Sequence, residues 1–143
     1  MLDMREVNLM PKSEVIAVLR RHDVSPTQQR VEIAQILLSR HQHMSAEQVL
    51  ESVNIEKSKV SKATVYNTLG LFARKGLVNE LIIDPTKVFY DSNIKRHHHF
   101  YNLDTGELMD IREDEVDVAR LPQLPEGTMK AGVDVIVRLK KAS

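Results

Sequence analysis

Three histidines stand in a row at His97, His98 and His99, half of the six in the chain. Side chains alternate along a strand, so His97 and His99 share one face and His98 takes the other. A His-x-His pair on a strand is a two-imidazole clamp for a metal ion, although a ligand-free histidine cluster has the same sequence. Nearby carboxylates bear on that choice. Asp91 closes the preceding run of strand formers, and Asp110 lies on a segment expected to return beside the histidines. The chain has no cysteine, which removes disulfides, thiolate catalysis, Cys-ligated zinc and iron–sulfur clusters together. Any metal must bind through His, Asp or Glu. Imidazoles with carboxylates and no thiolate suit Fe(II) or Mn(II), with Zn(II) a competitor.

A second group of residues points to an anionic partner. The formal net charge is zero, but residues 1–76 hold 11 Lys+Arg against 8 Asp+Glu, a net +3, and residues 77–143 hold 9 against 12, a net −3. Within 57–76, Lys57, Lys59, Lys62, Arg74 and Lys75 occur without an acid, a local +5. Such a stripe suits a nucleic acid, and a solvated helix face would carry the same residues.

These residues must be positioned by local elements. Val15, Ile16, Val18 and Leu19 form an apolar stripe after Ser13. Ser25-Pro26-Thr27-Gln28 reads as a helix opening, with Ser25 as cap, Pro26 at the first helical position and Gln28 closing a capping box. Ser45-Ala46-Glu47-Gln48 is a second capping box. Ser61 caps a helix whose Val65, Leu69, Phe72 and Ala73 face a core, and Gly76 ends it. Leu77 to Ile83 and Val88 to Tyr90, joined by Asp84-Pro-Thr-Lys87, predict a β-hairpin. Helices, a basic helix and then a hairpin are the order of a winged helix-turn-helix. His97–Tyr101 and Glu107–Ile111 predict a second hairpin, and alternation from Val133 to Leu139 a further strand. The fold expected is therefore α+β: a winged helix-turn-helix domain at 1–88, a hinge at 89–93 and a small α/β dimerisation domain at 94–143. Three strands in so few residues make a small core, so a homodimer is expected.

With 42% hydrophobic and 28% charged residues, and no apolar stretch near the roughly 20 residues that cross a bilayer, no membrane span is expected. The opening residues MLDMREVNLMPKSE carry both signs of charge and do not read as a secretory signal, so a cytoplasmic location is expected.

The runs Ser25-Pro-Thr-Gln-Gln-Arg30, His43-Met-Ser-Ala-Glu47, Ser61-Lys-Ala-Thr-Val-Tyr-Asn-Thr-Leu69 and Gly76-Leu-Val, followed by Tyr90-Asp91 and His97-His98-His99, resemble the ferric uptake regulator family over nearly the whole chain. The His-His-His-Phe segment and the ending Leu-Pro-x-Leu-Pro-Glu-Gly to Val-Arg-Leu most resemble its iron response regulator branch. The resemblance implies a bacterial winged-helix dimer whose metal-loaded form binds palindromic double-stranded DNA, in most cases as a repressor. Carried over by position, it implies a regulatory site of His43, Asp91, His97, His99 and Asp110 holding Fe(II) or Mn(II). It implies Tyr66 as the recognition tyrosine, with Lys62, Thr64 and Asn67 on the same helix, and Arg30 contacting phosphate or a groove edge. Asn67 stands where many relatives have arginine.

Other departures matter. Many relatives hold a structural zinc with two cysteine pairs, but here Asn102 and Thr105 occupy the first pair and the second is absent, so that zinc is not expected. The family's additional metal site would find only His98 and Asp117 here. His22 and His41 match no ligand position and read as ordinary surface residues. The signal has three readings: plain metal, haem at the histidine run including His98, or peroxide, since Asp110 resembles the branch in which Fe(II)-bound histidines such as His43 and His97 are oxidised. A non-haem metal enzyme is the remaining class. A short chain with 4% aromatic residues and no further nucleophile–base set offers little for it, and no enzyme is expected.

Overall fold

The computed structural model describes residues 9–40, 42–55, 60–95 and 97–143. Lys57 and Lys59 of the basic window, His41 and residues 1–8 lie outside the described residues.

Helix α1, Lys12–Arg21, buries Val15 and Leu19. Helix α2, Gln28–Leu38, is capped by Thr27, whose side chain accepts from the Arg30 N–H. This corrects the cap expected at Ser25: the Ser25 carbonyl instead accepts from the Thr27 N–H and from Arg30 Nη1, so Ser25 and Pro26 form the turn before the helix. Gln28 reaches forward to Glu32 rather than back to a cap. Helix α3, Ala46–Val53, has both halves of the Ser45–Gln48 capping box. Helix α4, Lys62–Arg74, starts at Ser61, which accepts from the Thr64 N–H. It ends where Gly76, at φ +78°, lets the Leu77 N–H return to the Phe72 carbonyl at 2.9 Å. Val15, Leu19, Ile33, Leu37, Val49, Val65, Leu69, Phe72 and Val78 are fully buried and form one core under these helices.

Strands β2, Asn79–Asp84, and β3, Lys87–Asp91, make the expected hairpin. Strand β1, His43–Ser45, has no counterpart among the expected strands; it pairs with the far edge of β3, giving the antiparallel order β1-β3-β2. The residues expected as a hinge at 89–93 include the end of β3.

Strands β4, His97–Asn102, and β5, Leu108–Arg112, pair antiparallel, and β6, Ile136–Leu139, joins β4 in parallel, giving the order β5-β4-β6. Between β5 and β6 the described chain has only a 3-10 turn, Glu113–Glu115. The chain divides into two units, Met1–Ile94, which holds α1 to α4 and the first sheet among its described residues, and Lys95–Ser143, which holds the second. The second buries Tyr101, Leu108 and Ile111 as hydrophobic core and leaves Val118, Leu121, Leu124 and Met129 exposed. No described helix is long and apolar enough to cross a membrane.

Candidate metal centre and nucleic-acid interface

In the β4–β5 hairpin, His99 lies opposite Asp110 and His97 opposite Arg112. Alternation puts His97 and His99 on the same face, with ring centroids 4.5 Å apart. Their Nε2 atoms stand 3.4 Å and 3.5 Å from Asp110 Oδ1. The His97 Nδ1–H donates to the Lys95 carbonyl at 2.6 Å, which fixes the tautomer and turns Nε2 toward the carboxylate as the ligating atom. Two imidazole nitrogens and a carboxylate oxygen brought this close together are a donor set for a cation. Donors separated by about 3 Å suit a first-row divalent ion with bonds near 2.1 Å, so the set fits a metal.

His98 faces the other way, as the alternation requires. It is buried, and its Nδ1 accepts from the Val135 N–H at 3.0 Å, tying the segment before β6 to β4. Asn102 and Thr105 serve the hairpin turn: Asn102 Oδ1 accepts from the N–H groups of Asp104 and Thr105 at 2.9 Å and 3.1 Å. Asp117 is exposed beyond the 3-10 turn.

In the first unit, His43 and Asp91 are direct partners across β1 and β3. Asp91 is only 3% exposed, and its Oδ1 accepts from the Asn93 N–H at 2.8 Å. The His43 ring meets Phe89 edge-on, with centroids 6.4 Å apart. Each unit thus brings together a part of the expected ligand set: His43 with Asp91 in one, His97 and His99 with Asp110 in the other. His22 donates from Nδ1 to the Val18 carbonyl at 2.9 Å and finishes α1.

On α4, Lys62, Tyr66 and Asn67 are exposed and Thr64 is half-buried, with its Oγ1 accepting from the Ser61 hydroxyl at 2.9 Å. The Lys62 ammonium stands 5.7 Å from the Tyr66 ring centroid. The Tyr66 hydroxyl donates to Glu47 Oε1 on α3. This bond holds the Glu47 carboxyl below its ordinary range, helped by a backbone N–H and the charge of Lys62, and it raises the Tyr66 phenol. Burial pushes the Tyr90 phenol up as well. Arg30 is half-buried and donates to the Ser25 carbonyl at 3.0 Å. In the sequence Glu47 stands out only in a capping motif and at the end of the run that begins at His43. Its link to Tyr66 spans 19 positions, beyond the reach of any local pattern.

The sequence profile described as Ferric uptake regulator family matches residues 21–131. The peroxide-responsive repressor PerR of Staphylococcus aureus is 32% identical over 111 residues, covering 77% of this chain and 75% of that protein. The structure of the ferric uptake regulator from Pseudomonas aeruginosa with manganese aligns over 94% of this chain and 100% of its own, at 26% identity and a TM-score of 0.69. The ferric uptake regulator of Vibrio cholerae shares the fold at 21% identity, with a TM-score of 0.67 over 88% of this chain and 98% of its own. A winged-helix arrangement followed by a strand unit with converging histidines and aspartate, matched by profile, sequence and fold, identifies the chain as a member of the ferric uptake regulator family.

Proposed function

We propose that this protein is a metal-responsive, DNA-binding transcriptional regulator that works as a homodimer in the cytoplasm on a palindromic operator. Residues 1–88 form its DNA-binding part, 89–93 its hinge and 94–143 its dimerisation and sensing part. The observation that carries this reading is the convergence of His97, His99 and Asp110 on one face of a hairpin. We assign His43 and Asp91, paired across β1 and β3, to the same regulatory site. Fe(II) or Mn(II) is the fitting ion, with Zn(II) able to substitute; bound there, it supplies the positive charge that holds these donors together.

The protein's own residues supply the rest. His97 is fixed in its tautomer by the Lys95 carbonyl. Donors drawn from both parts of the chain make occupancy a constraint on the hinge, and therefore on the spacing of two recognition helices along the DNA. Lys62, Thr64, Tyr66 and Asn67 on α4, with Arg30 on α2, meet the duplex; Tyr66 suits thymine methyl groups and Arg30 a phosphate.

The test is fluorescence anisotropy at stated salt, with a duplex enriched from a random-sequence pool by the Mn(II)-loaded protein. Mn(II) should tighten binding relative to chelated protein by about 5- to 150-fold, the range of a coupling of roughly 1–3 kcal/mol. No change on adding metal would remove the regulatory assignment.

The 32% identity to a peroxide-responsive repressor supports a second reading, in which peroxide is the signal and histidines such as His43 and His97 are its targets when Fe(II) is bound. Peroxide should then release DNA from the Fe(II) form and spare the Mn(II) form, with a mass gain on a peptide containing His43 or His97. If hemin, and not peroxide, releases the DNA, the haem reading takes its place, with His98 as the residue to examine.

A further inference from the structure

The side chain that touches Tyr66 is an acid. Glu47 lies in the first turn of α3, and its Oε1 accepts from the Tyr66 hydroxyl, while Lys62, one turn earlier on α4, places its ammonium 5.7 Å from the same ring. All three side chains are exposed. An exposed tyrosine on a helix would sample several rotamers, and each one immobilised only on binding costs affinity. Here the ring is held at its hydroxyl end and over its face before any ligand arrives.

The arrangement has an electrostatic cost. Glu47 stays ionised at neutral pH because the phenol, a backbone N–H and Lys62 all favour its charged form. An ionised carboxylate beside the helix that meets DNA repels phosphate and weakens binding to every sequence alike. That penalty is accounted for if the acid also improves discrimination, because an ordered tyrosine favours the sequence whose base edges fit the ring.

We propose that Glu47 is a positioning residue for sequence reading: its carboxylate sets the Tyr66 ring for base contact, while its charge lowers affinity for all duplexes alike. The inference rests on the reading of the chain as a DNA-binding regulator.

Two variants separate the functions. Glu47→Gln keeps an acceptor for the Tyr66 hydroxyl and removes the charge, whereas Glu47→Ala removes both. Affinities of the full-length, Mn(II)-loaded protein are measured for the enriched duplex and for poly(dI-dC) at one salt concentration. Both variants should bind poly(dI-dC) more tightly than the parent. The ratio of specific to non-specific affinity should fall about 3- to 10-fold for each recognition helix in Glu47→Ala, the cost of ordering one side chain on binding, and should hold in Glu47→Gln. Tyr66→Phe should lower the ratio similarly, and adding Glu47→Ala to it should cost little more. An unchanged ratio in Glu47→Ala, or an equal fall in Glu47→Gln, overturns the proposal.

A readout without DNA keeps its failure distinct from that of the underlying reading. In protein labelled at the tyrosine ring carbon that bears the hydroxyl, NMR titration should show Tyr66 ionising at lower pH in Glu47→Ala than in the parent. No movement overturns the positioning contact whatever the DNA result. If that titration moves but no duplex is enriched, the DNA-binding reading fails and takes this inference with it.

Discussion

His97 and His98 are adjacent residues with different partners, and mutation should separate them. His97 turns its Nε2 toward Asp110, while His98 is buried against Val135. His97→Ala should weaken Mn(II) binding by more than the roughly 10- to 100-fold that loss of an outer-shell partner costs, with little change in thermal stability. His98→Ala should do the reverse. Stranding the Val135 N–H costs about 1–3 kcal/mol, visible as a lower Tm, while Mn(II) affinity is largely kept. Calorimetric titration and thermal unfolding of both variants check this, and equal losses of Mn(II) affinity would put His98 among the ligands. The two-faced use of the histidine run was legible in the sequence because strand alternation is a local rule. The partner of His98 was not, since nothing local joins residues 98 and 135.

At the scale of elements, the starts of α3 and α4 were legible because one residue alone could cap each, whereas α1 begins at Lys12, before Ser13, with no side-chain cap. Ser45 and Ser61 cap as their sequences indicate. Ser25 and Thr27 offered two choices around one proline, and the helix uses the second. Thr27→Ala should therefore cost about 1 kcal/mol, and Ser25→Ala less than about 0.5 kcal/mol, in thermal or urea unfolding. The opposite order would restore Ser25 as the cap. Strand β1 was not legible in the sequence because three residues are too few for a period, and Ser45 already serves as a helix cap. It matters nonetheless, because it brings His43 opposite Asp91. Both hairpins were legible from their turns. The Asp84 carboxylate accepts from the Thr86 N–H at 2.7 Å in one, and Gly106, at φ +75°, returns its N–H to Asn102 in the other.

On the scale of the molecule, the α+β class and the order of its parts could be read from the change of period after Gly76. The parallel pairing of β6 could not, because alternation identifies a strand and not its neighbour. The small core of Lys95–Ser143, against the exposed Leu121 and Leu124, fits a unit completed by a second copy. Leu121→Lys with Leu124→Lys should shift the protein from dimer toward monomer in sedimentation velocity, and an unchanged dimer would place the interface elsewhere. The late position of β6 also has a consequence for synthesis. His99 pairs with Ile136, 37 residues further on. At roughly 5–20 residues per second, a ribosome needs about 2–7 seconds to travel that distance. Through that interval β4 has been translated while the strand that covers one of its edges has not. The nascent chain can complete its helical part early, but its histidine-bearing sheet closes only as the last strand is delivered, leaving an open edge as the stage most vulnerable to mispairing with a neighbouring nascent chain.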